Sequence, residues 1–177
     1  MDNRVKILLV IFLASCISIF SADQKRLEIG VVENLGSLIP LNTELVDEEG
    51  KKFLFENNFD KPVVINFVYY ECPGICSPML TELSSVIEKT DLVPGIDYQI
   101  FTISMDASED YTLAASKKQN YLKLMKKNID PKGWRFLTGD SLTVRKLADA
   151  VGFYYKKEGD EFIHSAMLSF ISTEGKI

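Results

Sequence analysis

The clearest structural pattern in the sequence is "KPVVINFVYYECPGICSPML", residues 61–80. Its continuous run of Val, Ile and Phe after a proline predicts a strand that is buried on both faces. Apolar residues then recur three and four positions apart, which predicts an amphipathic helix. We place the start of this helix at Ser77, as N-cap, and Pro78, as first helical residue. Cys72 and Cys76 therefore lie in a tight loop between a strand and a helix.

The segments that follow alternate between strand and helix patterns. "YQIFTISM" and "WRFLT" are typical of strands, while "EDYTLAASKKQNYLKLMKKN" and "SLTVRKLADAVG" are typical of helices, the second ending at Gly152. Two further strands, "FYYKK" and "AMLSFIS", flank the turn-like "EGDE". Ahead of the cysteines, "DEEG" between two short apolar runs indicates a β-hairpin. This order predicts an α/β fold, with a mostly parallel central sheet flanked by helices and an N-terminal hairpin.

Composition limits the classes of protein to consider. The chain has 177 residues, of which 46% are hydrophobic and 25% charged, and this suits one globular domain. The net charge is −5 and no block of Lys and Arg stands out, so we expect no nucleic-acid partner. Three cysteines are too few for a small disulfide-bonded framework. The fold must therefore depend on its hydrophobic core.

The N-terminus has the pattern of an export signal. Basic residues precede the uncharged run "ILLVIFLASCISIF", and we assign residues 1–22 to a signal or a membrane anchor. Leu13-Ala14-Ser15-Cys16 resembles the lipobox of bacterial lipoproteins, in which the cysteine carries the lipid. Residues 5–22 are alternatively long enough for an uncleaved anchor, and Cys16 is then an ordinary apolar residue. We assign residues 23–37 to a tether and 38–177 to a domain outside the cytoplasm.

The predicted topology brings Cys72 and Cys76 to the carboxyl edge of the sheet, where open α/β sheets usually bind ligands. The N-terminus of the following helix favours a thiolate, the form of cysteine that attacks disulfides and binds metals. Three interpretations of the pair remain: a static disulfide or inert thiols, a redox pair, or two soft metal ligands.

His164 favours the metal interpretation. It is the only histidine in the chain, and it precedes a predicted strand that would pair beside the cysteine-bearing strand. Thioredoxins place a cis-proline at the corresponding loop, but in this sequence no proline follows Pro131. Two thiolates and one imidazole suit Cu(I) and can also hold Cu(II), whereas zinc usually takes a fourth protein ligand. We therefore predict a copper site.

Five stretches together resemble the Sco/SenC family: "NFVYYECPGICSPML", "FTISMDASED", "GWRFLTGD", "LADAVGFYY" and "IHSAMLSFISTEGKI". The resemblance covers residues 38–177 in collinear order. It implies a membrane-anchored, thioredoxin-like protein that delivers copper to the CuA centre of cytochrome c oxidase, or maintains the thiols of that centre. Cys72 and Cys76 match the family's copper-binding and redox cysteines, and His164 matches the third ligand.

The resemblance also implies partners. These are the copper-site subunit of cytochrome c oxidase, a copper donor protein or thiol reductant, and the membrane that holds the N-terminal anchor. The resulting prediction is an extracytoplasmic copper metallochaperone on the periplasmic side of the inner membrane. The alternative is a thiol–disulfide oxidoreductase that uses Cys72 and Cys76 without retaining metal.

The sequence departs from the family pattern at two places. Asp106 matches a family acidic residue that usually precedes proline, but Ala107 follows it in this chain and Tyr111 replaces a second proline. We expect Asp106 to cap the end of its strand. The family domain normally continues with another strand and a closing helix, so we also expect these to be missing after Ile177, leaving an exposed sheet edge.

Overall fold

The computed structural model describes residues 28–177. In chain order, the strands are β1 (Gly30–Val31), β2 (Glu44–Val46), β3 (Lys52–Leu54), β4 (Val63–Val68), β5 (Gln99–Ser104), β6 (Trp134–Leu137), β7 (Phe153–Tyr154), β8 (Lys156–Glu158), β9 (Glu161–Ile163) and β10 (Ser169–Ile171). The helices are α1 (Cys76–Lys89), α2 (Tyr111–Leu124) and α3 (Ser141–Ala150). Two short 3-10 helices, Phe55–Asn57 and Pro131–Gly133, lie in the connections between them.

A four-stranded sheet in the order β10-β4-β5-β6 forms the centre of the fold. β4, β5 and β6 are parallel, while β10 runs antiparallel to β4. All six residues of β4 are buried, as the continuous apolar run predicts. The strand that follows His164 pairs beside the cysteine-bearing strand, as expected. The predicted α/β fold with a mostly parallel sheet is confirmed.

Three smaller pairs of strands surround this sheet. β2 and β3 form the predicted N-terminal hairpin, and Gly50 in its turn has φ +77°. β8 and β9 form a second hairpin, and β1 pairs with β7. The N-terminal hairpin is joined to the central sheet through a bridge between Val46 and Thr138, just after β6.

The segment just before the predicted domain contacts that domain. The Val32 N–H donates to the Gly152 carbonyl, and the Gly36 N–H donates to the Ile177 carbonyl. Gly152 has φ +75°, and a Cβ there would lie 1.7 Å from the Val32 carbonyl oxygen. Only glycine fits this approach, since other residues meet both the backbone strain and the clash. Residues 30–36, which belong to the predicted tether, are therefore held against the domain.

Two local predictions were wrong. α1 begins at Cys76, with Ile75 at the N-cap position, and not at the Ser77-Pro78 pair. β9 was not predicted at all: the strand that pairs across the "EGDE" turn is Glu161–Ile163, while the predicted "AMLSFIS" strand forms only over Ser169–Ile171 and pairs with β4.

The core lies between the central sheet and the helices. Its largest fully buried side chain is Trp134, whose Nε1 donates to Thr102 Oγ1 over 2.8 Å. The Trp134 ring packs against Phe136 and Tyr121, with ring centroids 5.3 and 6.2 Å away. Trp134 is therefore a packing residue.

A buried cluster of charges ties the N-terminal hairpin to the rest of the fold. Arg135 on β6 donates to both Asp47 and Glu48 in the hairpin turn, over 2.7 and 2.9 Å. Lys118 on α2 reaches the same Glu48 oxygen, and the Phe136 N–H donates to the other oxygen. All four charged residues are buried, so each depends on its partners. The predicted β2–β3 turn therefore also connects the hairpin to β6 and α2 through ion pairs.

The N-terminal assignments, including Cys16, lie outside the described residues. Within residues 28–177, no helix is long and apolar enough to span a bilayer.

Candidate metal centre

Cys72, Cys76 and His164 come together at the carboxyl edge of the sheet. One ligand atom from each lies within 4.8 Å of the others. Cys76 Sγ is 3.4 Å from His164 Nε2, although the two residues are 88 positions apart in the chain. Both cysteines are buried free thiols, and His164 is partly exposed. All three predicted site residues are therefore brought together.

Cys72 is held by the turn that follows β4. Its N–H donates to the Tyr69 carbonyl over 3.1 Å, closing a four-residue turn. The Gly74 N–H donates to Cys72 Sγ over 3.3 Å. α1 begins at Cys76, and the Cys76 N–H at its start donates to the Cys72 sulfur, which is an arrangement that stabilises a thiolate.

The pKa values of the two thiols are shifted in opposite directions. Burial disfavours the Cys72 thiolate, but hydrogen bonds from the Cys76 N–H, the Cys76 thiol, the Gly74 N–H and the Tyr69 side chain outweigh it and lower the pKa of Cys72. Burial raises the pKa of Cys76 to about 12, and the neighbouring Cys72 sulfur contributes to the increase. Cys72 is therefore the more readily ionised sulfur of the pair.

His164 lies in the loop between β9 and β10 and has a defined tautomer. Its Nδ1 is 2.8 Å from the Ser165 carbonyl oxygen. A carbonyl only accepts, so Nδ1 carries the proton and the Nε2 lone pair faces Cys76. The ring is bordered by Tyr69 and Phe153, with centroids 6.2 and 6.1 Å away. Nε2 is the nitrogen that is free to bind a metal.

The tyrosines before Cys72 have separate environments. Tyr69 faces the site, and burial, followed by its contact with the Cys72 sulfur, raises the pKa of Tyr69 to about 12. Tyr70 points into the core, where its hydroxyl shares its one proton between two carbonyl oxygens, that of Leu137 at 2.8 Å and that of Thr102 at 3.1 Å. Tyr69 therefore borders the site, while Tyr70 anchors the turn.

Asp106 does not join the cluster. Its carboxylate accepts from the Ser108 N–H over 2.9 Å and the Ser108 hydroxyl over 2.7 Å. Lys157 on β8 lies 3.8 Å from the same oxygen. Burial opposes ionisation, but these hydrogen bonds and Lys157 together lower the pKa of Asp106. Asp106 therefore caps the loop that follows β5, whose last residue is Ser104.

Sequence reasoning missed Glu109. Its carboxylate accepts from the N–H groups of Tyr70 and Glu71, the two residues just before Cys72. Neither its residue type nor its spacing distinguishes Glu109 from the neighbouring Asp106 and Asp110, of which Asp110 caps α2. Only the folded arrangement of the loops after β4 and β5 shows the contact.

The arrangement meets the geometric needs of a soft-metal site. Two sulfurs and one imidazole nitrogen converge without a fourth His, Cys, Asp or Glu ligand in the described residues. Three such donors match the preference of Cu(I) for soft ligands and low coordination number. Residues 28–177 contain no cis peptide bond, so the thioredoxin-type cis-proline is absent from this part of the chain.

A thioredoxin-like fold with two cysteines and a histidine at the carboxyl edge of its sheet defines a class of thiol-based metal-binding and redox proteins. The chain belongs to the SCO1/SenC family, whose family model matches residues 38–177.

Individual relatives agree with this assignment. The SCO1 protein homolog of Bacillus subtilis is 26% identical over 149 residues, which cover 78% of this chain and 73% of the relative. A solved Aquifex aeolicus protein is 27% identical, with a TM-score of 0.70 and 80% of both chains covered. The copper-bound structure of Bradyrhizobium japonicum ScoI is 27% identical, with a TM-score of 0.57, covering 80% of this chain and 85% of that one.

Proposed function

We propose that this protein is an extracytoplasmic copper metallochaperone and that Cys72, Cys76 and His164 bind the metal. The observation that carries the proposal is the convergence of their three ligand atoms within 4.8 Å. Copper is present in the structure of the related Bradyrhizobium japonicum ScoI, which supports copper as the cargo. Two thiolates offset the positive charge of the ion, and binding releases the thiol protons.

A competition experiment tests copper binding. The reduced domain is titrated against a chromogenic Cu(I) chelator, and wild type is compared with His164→Ala and Cys76→Ser in a Cys16→Ser background. We expect both variants to bind Cu(I) at least about tenfold more weakly, because each loses one ligand. Nitrogen coordination should also disappear from the Cu(II) spectrum of His164→Ala.

A matched control removes a residue near the site that offers no ligand. Ser165→Ala keeps the backbone carbonyl that holds His164 Nδ1 and should bind copper like wild type. Wild-type affinity in a folded His164→Ala variant would contradict the three-ligand site.

We further propose that the recipient is the copper-site subunit of cytochrome c oxidase. The family assignment supports this recipient. The protein either passes its copper to that subunit or reduces the subunit's disulfide. In the second case Cys72 and Cys76 become a disulfide while the target disulfide takes two electrons and two protons. After the copper-loaded protein is mixed with the soluble copper-site domain and the mixture is oxidised with ferricyanide, the CuA absorption bands should appear, and a lack of both transfer and disulfide reduction would exclude this recipient.

A second candidate is thiol–disulfide exchange without retained metal. The pairing of an acidic Cys72 with a buried, weakly acidic Cys76 supports it, since redox proteins often combine an attacking and a resolving cysteine. Under this alternative, His164→Ala would leave copper binding weak and unchanged but alter the rate of disulfide reduction. The same set of variants therefore separates the two functions.

Export and membrane attachment are also proposals. They are supported by the apolar run within residues 1–22 and the lipobox-like Leu13-Ala14-Ser15-Cys16. Intact-mass measurement of the membrane fraction should find a lipid adduct on a mature chain beginning at Cys16. A chain beginning at Asp23, or an uncleaved chain, would contradict lipidation.

A further inference from the structure

We propose that Glu109 is a positioning residue for the metal-binding turn, an inference that rests on the proposed copper-binding function. Glu109 Oε2 accepts from the Tyr70 N–H over 2.8 Å, and Oε1 accepts from the Glu71 N–H over 2.9 Å. One carboxylate thus spans both central residues of the turn that ends at Cys72. The contact joins the loop after β5 to the loop after β4.

These two N–H groups depend on Glu109. In residues 28–177, the Glu109 carboxylate is the hydrogen-bond partner that the structure provides for each of them. Tyr70 is buried, and a backbone N–H that loses its partner away from water is costly, so the turn would rearrange to find another partner for the Tyr70 N–H. Such a rearrangement would displace Cys72, the next residue in the chain, relative to Cys76 and His164.

The carboxylate is itself fixed in place. Ser104 is buried at the end of β5, directly beside Val68 at the end of β4, and its hydroxyl donates to Glu109 Oε2 over 2.5 Å. The Ser104 hydroxyl oxygen in turn accepts from the Asp106 N–H over 3.1 Å. β5 lies in the middle of the sheet, so Ser104 holds the Glu109 carboxylate in place, and the carboxylate in turn holds the two N–H groups of the turn.

The turn is held from its other side by a side chain. Tyr70 reaches through the core to the carbonyls of Thr102 and Leu137, near the ends of β5 and β6. Its side chain and backbone N–H are therefore both fixed by neighbouring strands. With Glu109 in place, the backbone approaching Cys72 has one arrangement, which presets the distance between the thiols and the imidazole.

The test is Glu109→Gln, which keeps the size of the side chain but replaces one acceptor oxygen by an NH₂ group that cannot accept. We expect about tenfold weaker Cu(I) binding, the lower end of the effect of residues that orient metal ligands. We also expect a changed Cu(II) absorption and paramagnetic resonance spectrum at full loading. A role in stability alone would lower the unfolding temperature and leave the spectrum of the loaded protein unchanged.

Two variants make the test specific. Asp160→Asn removes one charge from the same acidic cleft, which Glu71 and Glu109 also line, while the described structure shows no hydrogen bond from Asp160 to the turn. It should keep the wild-type spectrum and affinity. Ser104→Ala keeps the Glu109 charge but removes the hydroxyl that fixes it, and should shift the spectrum in the same direction as Glu109→Gln by a smaller amount.

The outcomes separate this inference from the proposed function. If wild type fails to bind copper, the proposed function is wrong. If wild type binds and both Glu109→Gln and Ser104→Ala keep its spectrum and affinity, the positioning role is wrong. Equal losses in Asp160→Asn and Glu109→Gln would also overturn it, because charge alone would then account for the effect.

Discussion

Cys72 and Cys76 are both buried, yet their environments are unequal. The Cys72 sulfur receives N–H groups from the start of α1 and from Gly74, whereas the Cys76 sulfur lies deeper, in the first turn of the helix. Hydrogen bonds to a sulfur favour its charged form, and burial without enough of them disfavours it. The difference is a property of position in the turn, since the residue type is the same.

This difference predicts selective alkylation. In the reduced, metal-free protein near neutral pH, iodoacetamide should label Cys72 first, because the pKa of Cys72 is lowered and that of Cys76 is raised to about 12. The rate at Cys72 should rise with pH and level off below the pH at which an ordinary thiol does. Peptide mass spectrometry locates the label, with Cys16→Ser as the background.

Single-cysteine variants control for coupling between the two thiols. Cys76→Ala removes the side-chain donor to Cys72, so the Cys72 profile should move toward that of an ordinary thiol. Faster labelling of Cys76 than of Cys72 in the wild-type pair would contradict the assignment of Cys72 as the attacking sulfur.

At the scale of elements, the N-terminal hairpin is held to the domain by buried charges. Glu48 accepts from Arg135, Lys118 and the Phe136 N–H, so one side chain connects the β2–β3 turn to β6 and α2. Removing one member of a buried ion pair leaves the others without compensation in a medium that solvates them poorly.

We therefore expect Glu48→Gln to lower the free energy of unfolding by about 3–5 kcal/mol. Glu44→Gln is the matched control, since Glu44 pairs with Lys52 on the exposed face of the same hairpin and should cost at most about 1 kcal/mol. Urea unfolding followed by circular dichroism measures both. Equal, small effects of the two variants would show that the buried cluster contributes no more to the free energy of unfolding than a surface ion pair does.

Patterns in the sequence predicted the helices and strands in which the same spacing of apolar residues continues over many positions. β4 is a continuous apolar run and α1 has clear helical periodicity, so both were predicted, as was the hairpin turn at Gly50. The start of α1 was misplaced because Ser77-Pro78 matches a helix start, whereas the helix begins at Cys76 without a side-chain cap that the sequence could indicate. β9 was missed because it has three residues and only Phe162 is buried.

Contacts between distant segments were predicted only where the residue types together suit one chemical role. The cysteine pair and the lone histidine form a recognisable metal-binding set, so His164 was predicted to join them across 88 residues. Asp47 and Glu48 were interpreted as turn residues, because nothing local indicates that Arg135 and Lys118 will meet them. Glu109 was missed for the same reason.

For the whole molecule, β10 is the edge strand of the central sheet in the described chain. Its middle residue, Phe170, is 69% exposed, and Leu168 beside it is 40% exposed. An exposed edge strand with apolar side chains favours pairing between molecules. This edge is the surface of the described domain on which we expect self-association to begin.

Phe170→Lys should therefore reduce self-association at high protein concentration, since a charge on an edge strand opposes pairing. Its unfolding temperature should stay close to that of wild type, because the side chain is already exposed. Sedimentation velocity measures the association. Leu142→Lys, at the 79% exposed start of α3, is the control and should not alter it; an equal effect of both variants would point to general surface charge.

If the protein transfers copper as proposed, the unequal exposure of the three site residues would set the order of events. Cys72 and Cys76 are buried, while His164 lies at the partly exposed rim on a loop of its own. An incoming thiolate or imidazole from another protein would approach from that side and replace the His164 nitrogen before either sulfur. Under that proposal, the imidazole would determine how fast the metal can leave, and the two thiolates would determine how tightly it is held.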